Sequence, residues 1–313
     1  MVGFVVTVCN IPSAALAEGW RPSEPLTVTI PFGPGGGNDI LARTLIRILE
    51  QYRLYPGPIT AVNRVGGSGS VGWGYVFRQT GNPYHIATTS GSFITVPLQA
   101  RTEWNPLLFT PVALLASDDL LFIVRGNSDI RTFADFVQRA RTSRTVIGGI
   151  GTIQVDFIVP KLVARQAGFE FTYVPFNEQG QLITALMAGS LTAAMSNPAE
   201  VLGLMQAGEV RALAYSGVRT PGVLRDVPTL RSLGYNVQVS LPRGLVLPPG
   251  VSREAQEWWI ETVRQVVQTP EWKSYVERQL LTENVLYGED FRQFLRETSA
   301  TFERILREEG VLK

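Results

Sequence analysis

The sequence predicts an α/β fold made of two units with mostly parallel sheets, joined by two crossings of the chain. Three observations predict it. Strand-like and helix-like stretches alternate from Leu26 onward. A glycine-rich loop stands between a strand and a helix three times, twice early and once in the middle of the chain. Two turn-rich stretches, Gly126-Asn127-Ser128 and Arg243 to Gly250, set off a middle block from its flanks.

The first unit opens with the strand Leu26 to Ile30. The loop Pro31-Phe32-Gly33-Pro34-Gly35-Gly36-Gly37-Asn38-Asp39 follows and leads into a helix, Ile40 to Leu49. A strand from Ile59 to Val65 precedes the second loop, Gly66-Gly67-Ser68-Gly69-Ser70-Val71-Gly72, and a helix to about Arg78. His85 to Thr89 is a third strand, ending in the polar turn Ser90-Gly91-Ser92. His85 lies at the far end from the loops and reads as a surface or edge histidine. Pro111 to Arg125 holds two apolar runs split by Ser117-Asp118-Asp119.

The middle block begins with a helix from Thr132, its N-cap, to Arg141. Thr145 to Ile147 is a strand, and Gly148-Gly149-Ile150-Gly151-Thr152 is the third glycine loop, before a helix ending near Gln166. Phe171 to Phe176, Leu191 to Ser196 and Val210 to Ser216 are strands, with helices at Gly180 to Ala188 and Glu200 to Ala207 between them. After the return crossing the chain reads as helical: Ser252 to Gln268, Glu271 to Leu281 and Gly288 to Glu309. Trp258, Trp259, Val263 and Val266 share one face of the first of these helices. The expected division is 25–122 with 245–313 as one domain and 126–240 as the other.

Composition limits the functions open to this chain. Its 313 residues suit two domains of ordinary size. Lys and Arg number 28 against 27 Asp and Glu, which argues against a nucleic-acid or membrane-surface partner. No apolar run reaches the roughly 18 residues of a membrane span. One histidine and one cysteine make a zinc site, a Cys-His pair and a disulfide framework poor readings. No metal or cofactor is expected. Residues 1–17 read as a secretory signal, with Ala15-Leu16-Ala17 as its cleavage site and Phe4 to Val8 as a short apolar stretch. The positive n-region is missing, which suggests a start placed too late. Cys9 follows Val8, not the small residue that a lipid-attachment box wants.

Strand, glycine loop and helix together make an anion site. The first amides of a helix lack intrahelical partners, and the helix dipole adds partial positive charge there. Glycine lets a ligand approach those amides. The bland alternative for the first loop is a tight turn capped by Asn38 or Asp39. Gly67-x-Gly69-x-x-Gly72 matches the dinucleotide fingerprint, but the acidic residue expected about 20 positions on is missing, which argues against a nucleotide. Apart from Arg43 and Arg64 nearby, the loops carry no cation, so an anion there would be held by amides and hydroxyls. Two such sheets would face their loops into one cleft. Phe32, Phe93 and Phe176 could stack on an aromatic acid, though each also reads as a wall or core residue.

The stretch Pro31 to Asp39 resembles the first signature of the extracytoplasmic solute receptors of tripartite tricarboxylate transporters, the Bug or TctC family. Asn63-Arg64-Val65-Gly66-Gly67-Ser68-Gly69-Ser70-Val71-Gly72 resembles its second. Ala207-Gly208-Glu209-Val210-Arg211-Ala212-Leu213-Ala214 and Asp226-Val227-Pro228-Thr229-Leu230 are similar to later stretches of the family. The resemblance runs in order over nearly all of the chain after residue 17. It implies a two-domain periplasmic binding protein closing like a flytrap. It also implies that the first two loops hold a ligand carboxylate, partly through waters. Those positions are Phe32, Gly35, Gly36, Asn38, Asp39, Gly67, Ser68, Gly69 and Ser70, with Ser90 and Ser92 beside them. Gly151, Thr152, Phe176, Asn177 and Asn197 would select the rest of the ligand. The sequence departs from the family at Val65, at Phe176-Asn177-Glu178, at Thr192 and in the loop Gly148 to Thr152, so the ligand's identity stays open.

The resulting expectation is a periplasmic, monomeric receptor, not an enzyme, that passes a small carboxylate to membrane transporter subunits and has no nucleic-acid partner. The alternatives are a periplasmic hydrolase or transferase acting on a carboxylate, and a ligand sensor for a signalling partner. An enzyme needs a base or nucleophile in the cleft. His85 is badly placed for that, and no serine has an evident triad partner.

Overall fold

The computed structural model describes residues 19–151, 154–176, 178–237, 239, 241–308 and 310–312. The signal expected at residues 1–17 lies outside them, as do Thr152 and Asn177.

Two sheets carry the fold, each flanked by helices. The first is built from β1 (Leu26–Ile30), β2 (Ile59–Asn63), β3 (His85–Thr88), β4 (Thr110–Asp118), β10 (Leu241–Leu247) and β11 (Thr282–Tyr287), in the order β11-β4-β10-β3-β1-β2. The second is built from β5 (Leu121–Arg125), β6 (Val146–Ile150), β7 (Thr172–Phe176), β8 (Ala193–Ser196) and β9 (Val210–Tyr215), in the order β7-β6-β8-β5-β9. This is a two-domain α/β architecture.

The helical crossovers expected from the sequence give parallel pairing of β1 with β2 and β3, and of β6 with β7 and β8. The remaining pairings, of β10 with β3 and β4, of β11 with β4, and of β5 with β8 and β9, are antiparallel. The sheets are therefore mixed rather than mostly parallel.

The crossings differ from expectation. The chain changes sheets between Asp118, the last residue of β4, and Leu121, the first of β5. The polar run Ser117-Asp118-Asp119 marks that passage, not Gly126-Asn127-Ser128. Gly126 instead donates its amide to the Glu209 carbonyl and closes the end of the β5–β9 pair. The return is made before Leu241, and Arg243 to Leu247 belong to a central strand of the first sheet. Two further elements appear where the sequence shows none. Ser90-Gly91-Ser92 is the start of a helix, not a bare turn, and β11 interrupts the final helical stretch.

The helices are α1 (Gly37–Gln51), α2 (Ser70–Phe77), α3 (Gly91–Gln99), α4 (Phe133–Thr142), α5 (Val155–Ala167), α6 (Gln179–Met187), α7 (Pro198–Gln206), α8 (Arg253–Gln268), α9 (Pro270–Arg278) and α10 (Gly288–Glu308). One core lies between the first sheet and α1, α8 and α9, with Trp259, Val263 and Val266 buried in it. Trp258 is only partly buried and packs on its edge. A second apolar cluster runs through Trp73, Phe93 and Phe302 to Phe122, Phe136 and Ile158, so it is shared by both units. Among the described residues no helix is long and apolar enough to cross a membrane.

Candidate functional site

The first loop ends in a helix that begins without a side-chain cap. Gly36 is the N-cap of α1, with extended backbone at φ −78° and ψ 168°, and no side chain bonds the first amides. Asn38 and Asp39, the sequence candidates for that cap, lie within the helix. Asp39 is buried, and its carboxylate accepts from Gly35 N at 2.9 Å, Asn63 Nδ2 at 3.0 Å and Arg43 Nε at 2.9 Å. The Arg43 hydrogen bond leads in pulling its pKa down to about 2, against the opposing effect of burial. The Asp39 side chain therefore clamps the loop, and its oxygens face donors of the protein itself. Asn38 is also buried, and its Oδ1 has no partner. Phe32 sets its ring edge-on to Trp73, with centroids 5.8 Å apart.

The second loop turns through four successive positive φ angles: Gly66 at 139°, Gly67 at 54°, Ser68 at 52° and Gly69 at 96°. Ser68 adopts this left-handed conformation despite its Cβ, at a cost of roughly 1 kcal/mol. Gly72 is required for a different reason. A Cβ there would lie 2.8 Å from Pro31 Cα, so the third glycine of the fingerprint lets α2 pack against the first loop. Ser90 is the N-cap of α3, yet its hydroxyl is buried without a partner, and Ser92 is buried one residue into the helix.

In the second unit, Gly151 follows β6 and takes the Tyr173 hydroxyl on its carbonyl at 2.9 Å. Asp156, in the first turn of α5, accepts from Ile150 N at 3.0 Å, and burial pushes its pKa up to about 7. Phe176 ends β7 and packs on the apolar cluster of this unit. Gln179, at the start of α6, donates to Ser196 Oγ at 2.6 Å and leaves its own Oε1 unpartnered. Asn197 is the N-cap of α7, but its side chain does not cap the helix. Its Nδ2 donates instead to Asp118 Oδ1 at 2.5 Å.

A pattern separates these helices from others in the molecule. The six that follow the parallel strands, α1, α2, α3, α5, α6 and α7, all start without a side-chain cap bond. Away from them, Thr132 caps α4 in a full capping box, Ser252 caps α8 and Thr269 caps α9. Uncapped first-turn amides need water or a ligand.

The two sets of loops face each other. A Cβ on Gly91, at the start of α3, would lie 4.0 Å from Val155 Cγ2, at the start of α5. Asn197 of the second unit bonds Asp118, and Asp118 forms an ion pair with Arg243 of β10. The Arg243 guanidinium lies against Gly37, where an added Cβ would be 2.6 Å from Nη2 and 3.1 Å from Nη1. The helix N-termini of the two units thus approach one another, and this chain of polar contacts joins them.

Comparison with known proteins matches this architecture. The family model of the tripartite tricarboxylate transporter family receptor, TctC, matches residues 48–311. The chain belongs to this family. A curated relative of the receptor, the UPF0065 protein in the gbd 5'region of Cupriavidus necator, is 22% identical over 310 residues, covering 97% of this chain and 92% of its own. A TctC solute-binding protein from Polaromonas superposes with TM-score 0.83 at 23% identity, over 92% of this chain and 99% of that one. The R. palustris protein Rpa4515, solved with adipate, superposes with TM-score 0.76 at 22% identity, over 93% and 99% of the two chains.

Several residues of this candidate site escape a reading of the sequence. Arg243 sits in the otherwise apolar strand Leu241–Leu247, and a lone charge in such a run is the signal that could have found it. Asp118 and Gln179 carry no motif. The two arginines noticed in the sequence are engaged elsewhere: Arg43 with Asp39, and Arg64 over the Tyr75 ring at 3.5 Å. His85 is half-buried at the start of an interior strand, next to Tyr75, rather than on an edge. Burial, helped by Arg64, lowers its pKa. Phe93 is fully buried and stacks on Trp104, so it is core and not a ligand wall.

Proposed function

We propose that this protein is a periplasmic receptor that binds a small organic carboxylate between its two units and presents it to the membrane subunits of a tripartite tricarboxylate-type transporter. The observation that carries this reading is the set of six uncapped helix N-termini that follow the parallel strands of the two units. Each places amides and partial positive charge where a carboxylate can sit, and each such hydrogen bond is worth about 1.5–3 kcal/mol. The first two loops hold the carboxylate, and Ser90, Gln179, Phe176 and Asn197 meet the remainder of the ligand. The binding of adipate by Rpa4515 supports a dicarboxylate of that size as the first probe. The signal read at residues 1–17 would deliver the chain to the periplasm.

Titration calorimetry with adipate, succinate and butyrate tests the reading. Saturable binding without turnover, followed by mass spectrometry of the recovered acid, is expected. Chemical conversion of a bound acid would place the protein among enzymes. Absence of binding across the panel would remove the carboxylate assignment.

A further inference from the structure

Arg243 and Asp118 meet at a place where electrostatics makes an unusual demand. A helix N-terminus carries partial positive charge, and a cation beside it is unfavourable. Here the guanidinium of Arg243 lies against the first residue of α1, with both terminal nitrogens near Gly37. The pair is largely withdrawn from solvent, with Arg243 14% and Asp118 12% exposed at the side chain. Two positive features therefore face each other with little solvent between them. What reconciles them is an anion at their junction, and the anion present is the Asp118 carboxylate, whose Oδ2 pairs with Arg243 Nη2. Glycine at position 37 makes the approach possible, because any Cβ would collide with the guanidinium.

Asp118 is also tied to the opposite wall. Its Oδ1 accepts from Asn197 Nδ2, so one carboxylate bridges β10 of the first unit and the α7 N-cap of the second. Each oxygen has its own donor, and the donors come from both sides of the cleft. A ligand carboxylate clasped by a closing receptor would have this same pattern of contacts. Glu200, in the first turn of α7, adds a second negative charge to the field of Asp118 and Arg243.

We propose that Arg243 is the cationic partner of the ligand carboxylate, and that Asp118 is an internal carboxylate holding Arg243 until the ligand replaces it. This rests on the carboxylate-receptor reading above and deepens it. The site is not held by amides and hydroxyls alone, as the loops by themselves suggest. It contains one buried guanidinium whose native counter-ion must yield. Binding is an exchange of carboxylates on Arg243. Asp118 then rotates away from Arg243, and its contact with Asn197 breaks or re-forms with the ligand. The exchange protects an empty receptor from an uncompensated buried charge. It also lowers affinity for every anion by the strength of the internal pair, so weakly held anions are excluded.

The test is calorimetry with adipate on wild type, Asp118→Asn, Arg243→Gln and Arg243→Lys, with melting temperatures measured with and without adipate. Asparagine at 118 keeps an acceptor for Asn197 and removes the competing charge. Exchange predicts that Asp118→Asn binds adipate at least fivefold more tightly, despite a lower melting temperature when empty. Adipate should therefore raise its melting temperature by more than that of wild type. Arg243→Gln should lose at least thirtyfold in affinity, and Arg243→Lys should fall between. If Asp118→Asn weakens binding while remaining folded, Asp118 orients Arg243 and does not compete, and the proposal is overturned. Unchanged affinity in Arg243→Gln overturns it as well, while leaving the carboxylate receptor intact. Failure of wild type to bind any acid of the panel overturns both.

Discussion

Asp39 and Asn63 join the first two glycine loops. Asn63 Nδ2 donates to Asp39 Oδ1 at 3.0 Å and to the Phe32 carbonyl at 2.8 Å, so the end of β2 holds the loop that follows β1. Asp39 completes the clamp through Gly35 N and Arg43. We predict that Asp39→Ala destabilises the fold by about 2 kcal/mol, since hydrogen bonds to a charged group are lost. Carboxylate affinity should drop with it, because the loop is no longer fixed. The Asp39 pKa is lowered to about 2 from an ordinary 3.8, so its stabilisation is present above pH 4 and is lost as pH falls toward 2. Urea denaturation of both proteins between pH 2 and pH 6 checks this: their curves should converge at the acid end.

Gly36 offers a cleaner probe of the anion site. Its backbone is ordinary for any residue, and a Cβ there meets nothing nearer than the Gly33 carbonyl at 3.7 Å. Gly36→Val should fold with an unchanged circular dichroism spectrum. Its branched side chain should occupy the space over the first amides of α1. We predict at least a tenfold loss of adipate affinity, about 1.4 kcal/mol. An unchanged dissociation constant would take this loop out of the site.

Asp119 is the residue at which the chain passes from one sheet to the other, and it is 1% exposed. Its Oδ2 accepts from the Tyr215 hydroxyl at 3.3 Å, while Oδ1 has no partner. It lines a cavity of about 300 Å³ with Ser216, Thr282 and Thr298. Burial pushes its pKa up to about 7 from 3.8. The folded state therefore holds the proton more tightly than the unfolded one. Stability from this group is full below pH 4 and is lost as pH rises through 7. Asp119→Asn should melt higher than wild type at pH 8 and close to it at pH 4. A difference that is the same at both values would rule out titration of Asp119 as the cause.

Asn197 reaches across the cleft to Asp118, so closure and binding should be linked. Small-angle scattering with saturating adipate is expected to give a smaller radius of gyration than the free protein. In Asn197→Ala the change should be reduced, and the ranking among adipate, succinate and butyrate should shift. Parallel losses for all three acids would place selectivity elsewhere.

Much of this was legible in the sequence because it is local. Glycine at a strand-to-helix junction has one main physical meaning, and Pro31 to Asp39 and Gly66 to Gly72 both carried it. The alternation of strands with helices gave two α/β units. What escaped was non-local. Nothing in the run Leu241 to Leu247 says that Arg243 will meet Asp118, 125 positions away, because β10 finds β4 only by sheet pairing. Gly126-Asn127-Ser128 has turn chemistry, but a turn at the end of a strand pair looks the same as a passage between domains. Ser90-Gly91-Ser92 hid a helix whose apolar face, Phe93 and Ile94, is buried all round and so lacks an amphipathic pattern.

The two crossings lie side by side. Leu241 stands opposite Asp118 in the β10–β4 pair, so outgoing and returning chains are neighbouring rungs of one ladder. Bending across that line asks only for small dihedral changes in the segments beyond it. Both strands belong to the first sheet, so the ladder stays intact while the two connections turn together about that line. The relative motion of the units is thereby reduced to something near a single angle. On the receptor reading proposed above, a bound acid would act on that angle as a spacer between jaws. Its length and shape would then be converted into one mechanical coordinate, which a docking partner could sense without touching the ligand.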